Sequence, residues 1–311
     1  MSSERLPSYG GQALIEGVMM RGSRYVAAAM RSPDGEIVVD TKELPAIYKS
    51  NLRKIPFLRG LIMLWDAMGL GIEFLTRSAN VQSDEEEKIE GPAFYLTLAV
   101  SLLGGALVFF VGPAALGHFF ESLTAANGWW GNLIEGAIRL VLIVGYIWAI
   151  GKMPDIKRVF AYHGAEHKTI NAFEDGAVLT PENVSRYSLE HPRCGTAFLL
   201  TLVIFSIILF SLLGPLPIGW RLVSRIVLLP LLAGVAYEYL RWTANNIENP
   251  LVCILIKPNL ALQHLTTREP DLSMLEVSIS AFQAMLAKET QQEDAVPVDQ
   301  TASTPVTVLS D

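Results

Sequence analysis

The sequence predicts a mainly α-helical membrane protein with about four transmembrane helices, a cytoplasmic helical loop domain and a small N-terminal β element. Three observations support this fold class. Hydrophobic residues make up 51% of the chain and charged residues only 18%, below the roughly 25% of a typical soluble domain. Four apolar stretches are long enough to cross a bilayer, which takes about 20 residues of helix. The basic residues between these stretches are concentrated in one long loop.

The predicted spans are the apolar stretches 93–116, 133–150, 196–213 and 222–240. The connections 117–132 and 214–219 contain no Lys or Arg, whereas the connection 151–195 contains six of them. Positively charged loops stay on the cytoplasmic side of a membrane. The loop 151–195 and both chain termini are therefore expected in the cytoplasm.

The apolar stretch 57–75 is treated differently because it contains Arg59, Asp66 and Glu73. A fifth span at this position would place the basic N-terminal region outside the cytoplasm, against the charge rule. The pattern favours an interfacial or partly re-entrant helix whose charged side chains reach the headgroup layer.

Two further elements are expected outside the membrane. The runs 25–31 and 36–41 are rich in apolar residues and flank Asp34-Gly35, a combination that predicts a β-hairpin. Near the C-terminus, an apolar stripe at helical spacing predicts an amphipathic helix that begins after Asp271 as its capping residue. The stripe consists of Leu275, Ile279, Phe282 and Leu286.

These expectations divide the chain into consecutive segments. They are, in order, a cytoplasmic glycine-rich and β-hairpin segment at 1–55, an interfacial or re-entrant helix at 56–78, an acidic linker at 79–92, transmembrane helices at 93–150, a cytoplasmic His-rich loop domain at 151–195, transmembrane helices at 196–241, a cytoplasmic C-terminal segment with an amphipathic helix at 242–289 and a disordered tail at 290–311.

The candidate chemistry lies in the His-rich loop. A helix is expected from Pro154, which suits a first-turn position, to the end signal at Gly176. His163 and His167 stand four residues apart on it, so they share one face and can bind one divalent metal ion. With Glu166 they form the pattern His-x-x-Glu-His of inverted zincins, in which the glutamate activates water at the metal.

Further ligands are expected where the loop returns to the membrane, at His191 and Cys194. A closed set of these two residues with His163 and His167 would be a structural zinc site, whereas an open set of three ligands would be catalytic. The sequence leaves both alternatives open. The expected cofactor is a divalent transition metal, and zinc is the preferred candidate. Glu174 lies about 10 Å along the helix from His167 and is a candidate to orient a ligand or substrate or to bind a second metal.

Four blocks of the sequence, in the same order, resemble the signature of the YqhQ family, a bacterial and plastid group of membrane proteins of unknown function. The blocks are 10–22, 162–170, 191–196 and 265–270. The resemblance covers about residues 8 to 288. It implies a multi-pass protein of a bacterial inner or plasma membrane and a metal-dependent enzyme, but it implies no substrate.

The blocks add residues that are candidates to contact the site or its substrate. Glu16 and Arg21 lie among apolar residues of the first block, either as a buried ion pair, as site residues or in a strand that packs on the loop domain. Arg193 lies in the third block. Arg268 lies in a short polar turn that would bind an anion or cap the following helix.

Ionisable residues inside the spans are a separate set of candidates. Glu135 and Arg139 lie near the outer end of the second stretch, and Glu238 and Arg241 lie near the inner end of the fourth. Such residues are functional candidates by default, but positions at helix ends let them reach the interface. The middles of the four stretches are almost wholly apolar, which ranks a transporter last.

Two functions therefore remain. The first is a metal-dependent hydrolase with Glu166 as general base, acting on an unknown and membrane-associated substrate. The second is a non-enzymatic membrane scaffold or assembly factor with a structural zinc site. The expected partners are the lipid bilayer and an unidentified substrate or protein, with a homo-oligomer left open. A net charge of −7 gives no indication of nucleic-acid binding.

Overall fold

The computed structural model describes residues 9–44, 55–83, 91–124, 128–214 and 216–293. The strands are β1 (Gly10–Leu14), β2 (Gly17–Arg21), β3 (Tyr25–Arg31) and β4 (Ile37–Glu43). The helices are α1 (Leu58–Gln82), α2 (Pro92–Ala106), α3 (Gly112–Thr124), α4 (Gly128–Ile150), α5 (Pro154–Glu174), α6 (Pro181–Val184), α7 (Thr196–Leu212), α8 (Ile218–Val227), α9 (Leu229–Asn245), α10 (Pro250–Thr266) and α11 (Leu272–Glu293). A π-helical turn, Leu107–Val111, joins α2 to α3. Half of the expected acidic linker, at 84–90, and the expected tail beyond residue 293 lie outside the described residues.

The four strands form one antiparallel sheet in the order β1-β2-β3-β4. The predicted hairpin around Asp34-Gly35 is confirmed as β3 and β4, with Gly35 at a φ of +88°, a conformation that glycine adopts without steric cost. A second hairpin, which was not predicted, joins β1 to β2 within the first sequence block.

Both faces of the sheet are buried because alternate residues of a strand point to opposite sides. On one face, Val18 and Ala27 pack with residues of α5 and α11. On the other face, Met19 and Ala28 pack with residues of α1, among them Phe74. The sheet is thus held between α1 on one side and α5 with α11 on the other.

The predicted amphipathic helix is confirmed as α11. Leu275, Ile279 and Phe282 of its apolar stripe are buried in the core beside the sheet. Its start is capped as expected, since Oδ1 of Asp271 accepts a hydrogen bond from the backbone N–H of Met274 at 2.9 Å.

The apolar helices indicate that the chain is associated with a membrane. Pro92–Leu123, which includes the π-helical turn, and Trp129–Ile150 are each long and apolar enough to cross a bilayer. Helices α8 and α9 are bent by 43° at the break between them and count as a third span only if the pair is one element. Helix α7 is shorter, at 17 residues. The described residues therefore contain two or three candidate spans rather than an evident four.

Helix α1 occupies the stretch expected to be interfacial, and it is not among the candidate spans. Its charged residues form ion pairs with other elements of the fold. Asp66 lies 3.2 Å from Arg21 of β2, and Glu73 forms an ion pair with Lys42 of β4 at 2.7 Å. Arg59 pairs with Glu238 of α9. Helix α1 is therefore an integral part of the fold between the sheet and α9.

One helix was not predicted, and one expectation about the spans is wrong. The unpredicted helix is α10, whose start is capped by the side chain of Asn249 and carries Pro250 in its first turn. Glu135 and Arg139 do not reach the interface, because their side chains are only 1% and 3% exposed and form a buried ion pair at 2.9 Å.

Candidate metal centre

Helix α5 has the boundaries that the sequence predicted. Met153 is its N-cap and Pro154 is in the first turn, and Gly176 follows the helix at a φ of +75°. His163 and His167 lie one turn apart on the same face, with their ring centroids 4.4 Å apart. The spacing of the motif thus brings the two imidazoles together.

Cys194 joins the two histidines through the turn that leads into α7. The backbone N–H of Cys194 donates to the carbonyl of His191 at 3.2 Å. The side-chain amide of Gln263 on α10 holds the same segment, since it accepts from the His191 N–H at 3.0 Å and donates to the His191 carbonyl at 2.9 Å. As a result, Sγ of Cys194 lies 3.2 Å from Nε2 of His163.

The three side chains form a group whose potential ligand atoms all lie within 4.8 Å of one another. Four-coordinate zinc with bond lengths of about 2.0–2.1 Å to nitrogen and 2.3 Å to sulfur separates neighbouring ligand atoms by roughly 3.5 Å. The contact between His163 and Cys194 is close to that separation. The chemistry of the three donors also suits zinc.

The orientation of both imidazoles is set by backbone carbonyls. Nδ1 of His163 donates to the carbonyl of Thr266 at 2.8 Å, and Nδ1 of His167 donates to the carbonyl of Leu189. Because a carbonyl only accepts hydrogen bonds, these contacts place a proton on Nδ1 and leave the lone pair of Nε2 towards the group. Nε2 of His167 is buried and has no hydrogen-bond partner among the described residues. The residues therefore fit a divalent metal ion.

Glu166 lies beside this group, where α5 meets β1. The backbone N–H of Gly11 hydrogen-bonds its carboxylate, while Oε2 is buried without a partner among the described residues. Burial raises the pKa of Glu166 above its usual value, and the nearby charges of His163 and His191 oppose that shift. The first sequence block therefore reaches the candidate site through Gly11.

His191 lies outside the group of three. Its Nε2 is 3.4 Å from a guanidinium nitrogen of Arg193 and 3.9 Å from the carboxylate of Glu174. Arg193 and Glu174 form an ion pair. Burial lowers the pKa of His191, which favours the neutral ring. Glu174 thus contacts the segment that leads from the loop into α7, and it is a polar neighbour of the candidate centre.

Glu16 and Arg21 do not pair with each other. Arg158 of α5 forms an ion pair with Glu16, and the hydroxyl of Tyr162 donates to Glu16 at 3.3 Å. The side-chain hydrogen bond from Arg158 lowers the pKa of Glu16. Arg21 pairs with Asp66 at 3.2 Å. Glu16 thus ties the β1–β2 turn to the helix that carries the histidines.

The segment that contains Arg268 packs on the same helix. The backbone N–H of Arg268 donates to the carbonyl of Phe160 at 2.8 Å, and its guanidinium lies 5.9 Å from the centre of the Phe160 ring. Gly164 makes this approach possible, since a Cβ atom there would lie 2.2 Å from the Arg268 carbonyl oxygen. The segment also carries Thr266, whose contact with His163 could not be predicted from its side chain because it is made by the backbone carbonyl.

An apolar cavity of about 340 Å³ lies between α7, α9 and α10. Its lining is mostly apolar, with a polar end where Asn259 donates to Thr201 at 3.3 Å. Helix α7 starts beside Cys194, and α10 ends at Thr266. Helices α7 and α10, two of the three helices around the cavity, therefore also position the candidate centre.

The comparisons with known proteins assign the family. A family model described as "Protein of unknown function (DUF1385)" matches residues 55–288. The chain belongs to this family, a class of proteins whose function is not established. It is also 36% identical to "Uncharacterized protein YqhQ" of Bacillus subtilis (strain 168), over 94% of this chain and 97% of that protein. The resemblance drawn from the four sequence blocks is thus confirmed. No solved structure matches.

Proposed function

We propose that the protein is a multi-pass membrane enzyme, a metal-dependent hydrolase whose centre is formed by His163, His167 and Cys194. The observation that carries this proposal is the convergence of the three donor atoms, together with a buried Nε2 of His167 that has no partner among the described residues. Three protein ligands leave a tetrahedral metal one open position, which is the arrangement of catalytic zinc sites.

A bound zinc ion supplies a Lewis acid that lowers the pKa of water at the site to about 7. The protein's own contribution begins with the carbonyls of Thr266 and Leu189, which hold the two imidazoles in the ligating tautomer. Glu166 is the general base. Its unpartnered Oε2 is available to take a proton from water, and its raised pKa brings it nearer to the pH at which it works.

The substrate is membrane-associated in this proposal. The apolar cavity between α7, α9 and α10 is large enough for part of a small ligand. It is bounded by the helices that position Cys194 and the Thr266 carbonyl. In this proposal the cavity holds an apolar group of the substrate.

The proposed topology has four spans, formed by α2 with α3, by α4, by α7 and by α8 with α9, with the centre and both termini in the cytoplasm. The six basic residues of 151–195 support it through the charge rule. Labelling of single cysteines with a membrane-impermeant maleimide in intact and in permeabilised cells tests it, in a background in which both natural cysteines are replaced. Labelling of the His264→Cys variant in intact cells would contradict the orientation.

Metal content is the first test of the centre. Protein purified in detergent without a His tag is expected to carry about one zinc per chain. His163→Ala, His167→Ala and Cys194→Ser are expected to lose it, and Glu166→Gln is expected to keep it. His118→Ala, which removes an exposed histidine of α3, is the matched control. Absence of bound metal after reconstitution with zinc would contradict the proposed metal-dependent enzyme.

A non-enzymatic scaffold with a structural zinc site is the second candidate function, because His167 and Cys194 are only 0% and 7% exposed. Cobalt substitution distinguishes the open catalytic site from the closed structural site. An open site is expected to change its visible spectrum when azide is added, whereas a closed four-ligand site is not. His191→Ala adds a second criterion, since cobalt of a closed site that uses His191 would change its coordination in that variant.

A further inference from the structure

A second cluster of polar side chains lies at the opposite end of the apolar helices from the candidate metal centre. Helix α4 ends at Ile150, just before α5, whereas Asn132 lies near its start. Asn132 donates to the carbonyls of Phe210 and Gly214, at the far end of α7 from Cys194, with distances of 2.8 and 2.9 Å. About 27 Å of helix separates Asn132 from Ile150. The two sites are therefore remote from each other.

Glu135 is the centre of one half of this cluster. Its carboxylate accepts from Arg139 at 2.9 Å and from two nitrogens of Arg225 at 2.9 and 2.7 Å. Arg225 also donates to the side chain of Asn132 at 3.0 Å. All of these side chains are buried. One carboxylate thus serves two guanidinium groups in a low-dielectric setting.

Arg221 and Glu121 form the other half. The Nη2 atom of Arg221 makes both contacts to the carboxylate of Glu121, at 2.9 and 2.8 Å. The Nε and Nη1 atoms are buried and have no hydrogen-bond partner among the described residues, and the side chain is only 1% exposed. Buried donors of a charged group are almost always satisfied, so each exception calls for a partner.

The charges of the cluster do not balance. Three arginines, at 139, 221 and 225, face two glutamates, at 121 and 135, among the described residues. Two neighbouring stretches of the sequence lie outside the described part and contain no carboxylate. They are Ala-Ala-Asn at 125–127 and Pro at 215. A surplus positive charge in an apolar setting is unfavourable unless an anion accompanies it.

The position of Arg221 indicates where that anion would come from. Trp220 precedes it and is exposed, and Trp129 and Trp130 are exposed at the start of α4. Exposed tryptophans at the ends of spanning helices are typical of the headgroup level of a bilayer. Phosphate groups of lipids occupy that level.

We propose that Arg221 binds a phosphate group through its Nε and Nη1 atoms, and that a membrane phospholipid with net negative charge supplies it. The planar guanidinium matches two oxygens of a phosphate at once. A lipid with one net negative charge neutralises the surplus of the cluster. The site is independent of the metal centre, because it shares no residue with it.

Native mass spectrometry of the full-length protein in detergent tests this site. Phosphatidylglycerol and the zwitterionic phosphatidylcholine are titrated separately, and inorganic phosphate is a third probe. Phosphatidylglycerol is expected to be retained at least tenfold more tightly than phosphatidylcholine, and Arg221→Gln is expected to remove that difference. Arg241→Gln is the control, since it removes an exposed arginine near the C-terminal end of α9, whereas Arg221 lies on α8.

Glu121→Gln separates lipid binding from a purely structural role. It raises the surplus charge and releases Nη2 of Arg221, so tighter retention of phosphatidylglycerol is expected. If Arg221 and Glu121 only stabilise helix packing, both variants would lower the thermal transition and neither would change lipid retention, which overturns the proposal. Equal retention of the two lipids also overturns it. Binding of inorganic phosphate alone, without preference between lipids, would overturn the lipid source.

Discussion

The carboxylate of Glu166 lies directly against the backbone of Gly11, so that a Cβ atom on Gly11 would be 2.9 Å from Cδ of Glu166. The same Cβ would be 2.4 Å from the carbonyl oxygen of Met19 on the neighbouring strand. This contact joins the N-terminal sheet to the helix of the candidate centre. It also explains why a glycine is needed at this point of β1.

The substitution Gly11→Ala is expected to destabilise the protein by about 1–3 kcal/mol, because the added methyl group overpacks the contact between β1 and α5. The measurement is the thermal transition of the purified protein in detergent. Gly10→Ala is the matched control, since a Cβ on Gly10 meets nothing within 4 Å. Equal transitions for both variants would contradict the packing described for Glu166.

The substitution Gly164→Ala is expected to weaken zinc binding about 10- to 100-fold without removing any ligand. Its Cβ would push away the carbonyl of Arg268, and with it the segment whose Thr266 carbonyl orients His163. Loss of such an orienting partner typically costs metal affinity by that factor. Competition with a chelator of known affinity gives the value. Gly145→Ala in α4, where the space is open, should bind zinc as the wild type does.

Removal of the metal is expected to lower the thermal transition of the wild type, because a ligand that binds only the folded state stabilises it. The effect should disappear in His167→Ala, which has no metal to lose. A transition that is insensitive to chelation in the metal-loaded wild type would indicate that the fold does not depend on the centre.

Acid is expected to weaken the contact between the β1–β2 turn and α5. The Arg158 guanidinium lowers the pKa of Glu16 in the folded protein below its usual value of 4.5. The ion pair therefore adds stability above pH 4.5, and that stability is lost as the pH falls through the lowered pKa of the folded state. Since the Arg158 side chain is 53% exposed, the loss should stay under about 1 kcal/mol.

The comparison of Glu16→Gln with the wild type isolates the stability that the ion pair between Glu16 and Arg158 contributes. Thermal transitions are measured at several pH values between 7 and 3. The difference between the two proteins should be largest at neutral pH and shrink below pH 4.5. A difference that is constant with pH would exclude the ion pair as its source.

Local pattern was enough to predict the elements that depend on local physics. The limits of α5 follow from Pro154 and Gly176, whose backbone preferences do not depend on the rest of the chain. The hairpin at Gly35 and the buried stripe of α11 follow from the same kind of rule. The spacing of His163 and His167 placed two imidazoles on one helical face.

Contacts between distant segments could not be predicted in this way. Helix α10 was not predicted. The contacts that its Thr266 carbonyl and Gln263 make at the site were also missed, because backbone carbonyls and neutral amides do not mark a residue as functional in a sequence. The pairing of Arg21 with Asp66 and of Glu16 with Arg158 depends on which face of the sheet each residue occupies.

The sequence by itself determined that the protein is mainly helical and associated with a membrane, and that His163 and His167 share one helical face, because hydrophobicity and helical periodicity are properties of short segments. Only the tertiary structure decided that Cys194 joins His163 and His167 while His191 turns towards Arg193 and Glu174. Only the tertiary structure buried Arg221 with donors that lack a partner among the described residues. Both outcomes depend on how separate helices pack, and packing is a property of the folded chain as a whole.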